Sequence, residues 1–269
     1  MSQSAGAAIP FVKANGCGND FLIIERKCAP ADIAAFTRRV CDRHTGVGAD
    51  GVEWIEPCEK ECDVGARLIN ADGSEAELSG NGTRCVAAYW MSEHGGTSVR
   101  VKTGAGTKVC KLVKRSGREF EFEMNMGVPK IEGTLDLRLE SGKVEGTKIW
   151  MGNPHFVCLV EAFSPQWREM GAGIQSQKGF PQGTNVEFVR IVNQRKIESR
   201  FFERGVGETQ SSGTGSCASA IAAIASGRAK SPVEVVATGG AQQVRWDGAG
   251  ADVFLTGAAE LVCTGEFFI

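Results

Sequence analysis

The chain has 269 residues, enough for about two domains, with 42% hydrophobic and 23% charged residues, an ordinary globular balance. A net charge of −2 supplies no broad basic field and excludes nucleic acid as an expected partner. No apolar run approaches the roughly 18 residues of a membrane helix, so no membrane association is expected.

The first ten residues, Met1 to Pro10, lack the charged start and long apolar stretch of a signal peptide, and a cytoplasmic location is expected. Residues Phe11 to Ile24 read as strand, interrupted at Asn15-Gly16-Cys17-Gly18-Asn19-Asp20, a turn-forming cluster. Ile33, Phe36 and Val40 fall at helical spacing within 31–40. Short strands are predicted over 52–55 and 66–70, and a small-residue helix over 81–91. Residues 98–126 are strand-like, with alternation clearest at Phe120, Phe122 and Met124, and 127–146 give a turn and more strand. The order then repeats: strand over 150–160 broken at Gly152-Asn153-Pro154, helix over 165–175, strands over 186–192 and 197–202, an alanine-rich helix over 213–225, and strand with turns to the end. Many strands with one or two helices per half predict an α+β fold. Two similar domains are expected, 1–143 and 144–269, each a mixed sheet around a central helix, with Lys143 to Gly152 as the crossing segment.

The ten cysteines are scattered without a C-x-x-C pair. Cys58 and Cys62 are close but have no matching histidine, so no zinc site is expected. All ten are expected to be reduced thiols, most of them buried as small apolar groups.

Two stretches nearly coincide. Ser79-Gly80-Asn81-Gly82-Thr83 opens one small-residue helix and Ser212-Gly213-Thr214-Gly215-Ser216 opens another. Upstream, Gly18-Asn19-Asp20-Phe21 is echoed by Gly152-Asn153-Pro154-His155-Phe156; Asn19 lies 60 positions before Ser79, and Asn153 lies 59 before Ser212. Between them, the 46–51 glycine loop corresponds to Gly183-Thr184-Asn185-Val186. Three blocks in one order at one spacing read as a duplicated module.

Amides at a helix start carry partial positive charge and lack internal acceptors, so they hold carboxylates or phosphates. Glycines at 80, 82, 213 and 215 let a ligand approach. Asn70, Asn185, Glu203 and Arg204 suit the ends of an amino acid, arginine gripping carboxylate and glutamate accepting from ammonium. Structural readings stand beside these: either serine can be a plain N-cap, His155 a satisfied turn residue, and Glu203-Arg204 a solvated pair. No Gly-Lys-Ser/Thr follows either turn, and Gly46-Val47-Gly48-Ala49-Asp50-Gly51 leads into a strand, so neither a P-loop nor a dinucleotide fingerprint is present.

Together, Asn15 to Phe21, Arg43 to Gly51, Asn70 to Glu75, Gly80 to Cys85, Gly152 to His155, Glu203 to Thr209 and Gly213 to Gly215 resemble diaminopimelate epimerase, in order along nearly the whole chain. The resemblance implies two domains related by pseudo-twofold symmetry with an active site in the cleft. It further implies epimerisation of an amino acid at its α-carbon without a cofactor, two family cysteines working on opposite faces. Matched motif by motif, those cysteines fall on Ser79 and Ser212, with His155 and Glu203 as supporting partners. Gly80, Asn81, Gly213 and Thr214 are then expected at the substrate carboxylate. Asn70, Asn185 and Arg204, with Glu203, are expected at the distal end, and Asn19 and Asn153 along the site. The paired serines leave three readings open: a natural serine-centred epimerase, an engineered double cysteine-to-serine form, or an amino-acid-binding relative without the chemistry. A small-molecule substrate and no metal are expected; a homodimer is the guess for assembly.

Overall fold

The computed structural model describes residues 8–58, 61–140 and 142–269; most of the leader reading lies outside them. In chain order the first elements are β1 (Ala8–Gly16), β2 (Asn19–Glu25), a 3-10 turn (Arg26–Cys28), α1 (Ile33–Cys41), β3 (Gly51–Pro57), β4 (Val64–Asn70), β5 (Glu75–Ala76) and α2 (Gly80–His94). Then come β6 (Ser98–Thr103), β7 (Gly106–Ser116), β8 (Glu119–Asn125), β9 (Lys130–Leu139), β10 (Gly142–Trp150), β11 (Pro154–Val160) and α3 (Trp167–Gln175). The chain ends with β12 (Asn185–Asn193), β13 (Lys196–Glu203), β14 (Gly207–Thr209), α4 (Gly213–Ala225), β15 (Val233–Ala237), β16 (Gly240–Trp246) and β17 (Val253–Phe268).

The chain forms two compact units, Met1–Met124 with Gly257–Ile269, and Asn125–Thr256. The expected single crossing near 143/144 is therefore corrected: the chain changes unit at 124/125 and returns at 256/257. Residues 143–150 lie inside β10, and the end of β17 pairs antiparallel with β1, Ala8 opposite Phe268. That pairing joins the two ends of the sequence, which no local pattern reports.

Each unit follows the same plan. In the first, β2 runs parallel to β3, β3 antiparallel to β4, and β4 parallel to β6. In the second, β11 runs parallel to β12, β12 antiparallel to β13, and β13 parallel to β15. In the first unit the circuit β1–β2–β3–β4–β6–β7–β8–β17 closes on itself.

Strand alternation sorts side chains to two faces. On β2 and β3, Leu22, Ile24, Val52 and Trp54 join Phe36 and Val40 of α1 in one core. On β11 and β12, Phe156, Cys158, Val186 and Phe188 pack with Trp167 and Ile174 of α3. The alternate residues, Phe21, Gly51 and Glu53 in one unit and His155, Asn185 and Glu187 in the other, therefore face α2 and α4. These two helices are buried around most of their circumference. Their small residues, among them Cys85, Ala87 and Ala88 or Cys217, Ala218 and Ala220, let strands approach on every side.

The expectation of ten reduced thiols is also corrected. Cys58 and Cys62 form a disulfide, with Cα atoms 5.5 Å apart. Of the others, Cys17, Cys41, Cys85, Cys110, Cys158 and Cys217 are buried, Cys28 is partly exposed and Cys263 is exposed.

Candidate active site

Both serines open their helices as N-caps. Ser79 is extended (φ −120°, ψ 121°) and its Oγ accepts from Gly82 N at 3.1 Å. Ser212 (φ −141°, ψ 124°) accepts from Gly215 N at 3.2 Å. The capping role and a chemical role are thus compatible: the amide occupies a lone pair and leaves the hydroxyl proton available. The amides of Gly80, Asn81, Gly213 and Thr214 belong to the first turns, where helix geometry supplies no acceptor.

Around Ser212 the second unit gathers charge. His155 and Glu187 lie on adjacent parallel strands, with His155 opposite Asn185 and Glu187 two residues on, hence on the same face. His155 Nδ1 is 2.7 Å from Glu187 Oε1, and its Nε2 is 2.9 Å from Asn153 Oδ1. Both side chains of the ion pair are 1% exposed or less. With the Asn153 oxygen toward the ring, Nε2 donates and Nδ1 shares its proton with Glu187. Burial raises the Glu187 carboxyl above the usual range, and His155 opposes the rise. Glu187 Oε2 has no hydrogen-bond partner among the described residues.

Glu203 ends β13. Burial of its carboxyl raises its pKa; the hydrogen bond with Ser212 opposes this, Glu187 adds to it, and His155 lowers it. His155, Glu187, Glu203 and Ser212 thus form one coupled cluster, in which a carboxyl of raised basicity contacts the hydroxyl. Such an arrangement can accept the hydroxyl's proton or return it.

Asn185 works mainly as a bracket here. Its Oδ1 accepts from Arg204 N at 2.9 Å and its Nδ2 donates to Pro154 O at 3.1 Å. It thereby fixes the start of β11 and the turn carrying Arg204. The Arg204 side chain is exposed and donates from Nη1 to Gln182 O at 3.0 Å. Asn153 Nδ2 reaches Thr214 Oγ1 at 3.5 Å, tying the strand entry to the helix start.

The first unit repeats the tie with different groups. Asn81 Nδ2 donates to Asn19 Oδ1 at 2.9 Å, and Asn19 Nδ2 donates to Asp50 Oδ2 at 2.7 Å. Arg43 Nη2 bridges Asp20 and Asp50 at 2.6 and 2.8 Å, which is why the Arg43–Gly51 block accompanies the β1–β2 turn. That turn is a two-residue hairpin with positive φ at Cys17 (54°) and Gly18 (84°), closed by Gly16 opposite Asn19. Asn70 lies at the end of β4 and donates from Nδ2 to Ser74 Oγ at 3.0 Å.

Three buried groups escaped sequence reasoning. Arg84 is 0% exposed and bonds Asn81 Oδ1 at 2.5 Å, Gly80 O and Ala258 O at 3.3 Å each, and lies 3.7 Å from Cys17 Sγ. It locks the first turn of α2 to β17. Glu187 and Glu53 sit mid-strand among apolar neighbours; a glutamate in phase with the inward face was the available signal. Among the described residues no cluster of three or more histidine, cysteine or acidic side chains has metal-binding geometry.

The fold is shared with known structures. A hydroxyproline epimerase from Agrobacterium vitis, solved with bound trans-4-hydroxy-L-proline, superposes with a TM-score of 0.74 at 16% identity, covering 100% of this chain and 94% of that one. A phenazine biosynthesis protein of the PhzF family from Bacillus anthracis gives 0.73 at 16% identity, covering 98% and 100%. In sequence, the diaminopimelate epimerase family model matches residues 11–132 and 147–262. The diaminopimelate epimerase of Pelotomaculum thermopropionicum is 36% identical over 277 residues, covering 96% of this chain and 98% of its own. That of Moorella thermoacetica is 37% identical over 276 residues, with the same coverage. The class is therefore that of isomerases acting as epimerases. Within it, the chain belongs to the diaminopimelate epimerase family.

Proposed function

We propose that the protein interconverts LL- and meso-diaminopimelate, a step toward lysine and peptidoglycan precursors, by moving a proton at the α-carbon between two side chains without a cofactor. The observation that carries the reading is the duplicated helix start with a hydroxyl at each cap, Ser79 and Ser212, in a chain of this family. One serine, its hydroxyl proton first passed to a general base, accepts the α-proton as alkoxide, while the other delivers its own hydroxyl proton to the opposite face. Glu203, in contact with Ser212 and coupled to His155, is the proton reservoir on its side. The substrate α-carboxylate is assigned to the amides of Gly80-Asn81 and Gly213-Thr214. Asn70, Asn185, Glu203 and Arg204 are assigned to the distal amino-acid end, and Asn19 and Asn153 to the walls.

A second reading, an amino-acid-binding relative with little or no turnover, is favoured by the serines themselves. A thiol ionises near roughly 8.5, and a helix start lowers that further, whereas a hydroxyl is a far weaker acid. The deciding measurement follows the α-proton of LL-diaminopimelate in deuterated water by NMR. Exchange from the protein as it stands is expected to be slow but above a protein-free control, none at all favouring the binding reading, with a gain of several orders of magnitude from joint Ser79→Cys and Ser212→Cys replacement. Either replacement alone should recover much less, because inversion needs both faces. Binding without exchange in the doubly replaced protein would establish the binding reading, and loss of both would remove diaminopimelate as the ligand.

A further inference from the structure

Beneath the first turn of α2 lies a buried carboxyl that the proposed reaction has not used. Glu53, on β3, is 3% exposed. A Cβ added at Gly82 would collide with Glu53 Oε1 and would lie 3.3 Å from Ser79 Cβ, so the carboxyl and the capping serine crowd the same point of the helix. The second unit has the counterpart: a Cβ at Gly215 would lie 3.0 Å from Glu187 Oε1. The registers make the two glutamates equivalent, each two residues past the residue paired with Phe21 or His155. The two are balanced differently. Glu187 has the His155 imidazole; Glu53 has the Phe21 ring position instead.

We infer that Glu53 is a positioning residue which, by staying protonated, keeps the amide end of α2 able to hold the substrate carboxylate, and which releases that hold when it ionises. The inference rests on the assignment of the carboxylate to the Gly80-Asn81 amides. The physical reason is proximity: a neutral carboxyl leaves the partial positive charge of the helix start uncompensated, while a buried carboxylate at the same turn repels an incoming anion through a medium that screens poorly. Burial pushes the Glu53 carboxyl up to about 8. The titratable group facing it from α2 is Cys85, itself raised by burial and coupled to Arg84, Glu53, Cys17 and Asp20. Its cross-strand neighbours, Ile23 on β2 and Leu68 on β4, are apolar. Because the carboxyl is neutral below about 8 and charged above, the hold is present at neutral pH and lost as pH rises.

Two measurements test this on the full chain. The first is a carboxyl-carbon NMR titration of glutamate-labelled protein without ligand, the Glu53 signal being identified by its absence in Glu53→Gln. A titration well above the ordinary carboxylate range is expected, and one near roughly 4.3 overturns the inference whatever the ligand. The second is calorimetric affinity for LL-diaminopimelate in the same protein, Glu53→Gln and Glu53→Leu across neutral to alkaline pH. Titration of the substrate's own amines is common to all three, so the difference isolates Glu53. The unaltered protein should lose roughly tenfold more affinity than Glu53→Gln over that range. Glu53→Gln should keep the neutral-pH affinity, and Glu53→Leu, which tests packing without a hydrogen-bonding group, should share its flat profile. Parallel pH profiles in all three proteins, or an equal loss at every pH in the variants, would show a structural role and overturn the inference. Absence of binding to any of the three would defeat the substrate assignment, and the titration then decides Glu53 by itself.

Discussion

The two helix starts are built on one plan and charged on two. Around Ser212 the equivalent positions hold His155, Glu187 and Glu203; around Ser79 they hold Phe21, Glu53 and Asn70. Each strand entry is tied to its helix start, but in opposite directions: Asn81 Nδ2 donates to Asn19 at 2.9 Å, whereas Asn153 Nδ2 donates to Thr214 Oγ1 at 3.5 Å. On one plan of capped helix starts, strand residues of the same phase thus put a buried His155–Glu187 pair beside one and a buried Glu53 with an arginine-braced turn beside the other.

That comparison can be broken in several places. The largest effect is expected from Glu203→Gln, measured as α-proton exchange in the protein carrying Ser79→Cys and Ser212→Cys. Loss of a positioned acid–base group should lower the rate roughly 10²–10⁴-fold. Asn70→Ala, the counterpart in the first unit, should mainly raise KM; an equal fall in kcat would show that the two sides are not divided as described. A smaller effect is expected from Arg204→Met. Removing a charge-assisted bond should weaken calorimetric affinity by about 1.5–3 kcal/mol, and unchanged affinity would take Arg204 out of the site. The smallest concerns the shared scaffold. Ser79→Ala and Ser212→Ala each remove one capping bond and should each lower unfolding free energy by about 1 kcal/mol. Unequal losses in denaturant titration would mean that one hydroxyl carries more than a cap, with Ser212, bonded also to Glu203, the one to watch.

Much of this architecture was legible before any coordinates. The Asn15–Asp20 and Gly152–Pro154 breaks, the alternation of β8 and the start of α4 at Gly213 follow from turn chemistry, pleat and capping, which act over a few residues. Three of the candidate residues named from their motifs, His155, Glu203 and Ser212, lie in one cluster. Glu187 and Glu53 were not singled out, since a glutamate in a strand reads as solvent-facing unless the opposite face is known to be covered as well.

By itself the sequence determined the α+β composition, the duplicated order of elements, both serine-capped helix starts and the family. Tertiary structure alone decided that residues 257–269 return to pair with β1, that the chain crosses between units twice, and that Cys58 joins Cys62. It alone decided that Arg84 is fully enclosed and that two glutamates lie beneath the helix starts. The division has one physical cause. Hydrogen-bonded turns, caps and strand periodicity are set by neighbours in sequence, whereas burial, strand partnership and the proton affinity of a carboxyl are set by whatever the fold brings against it from elsewhere in the chain.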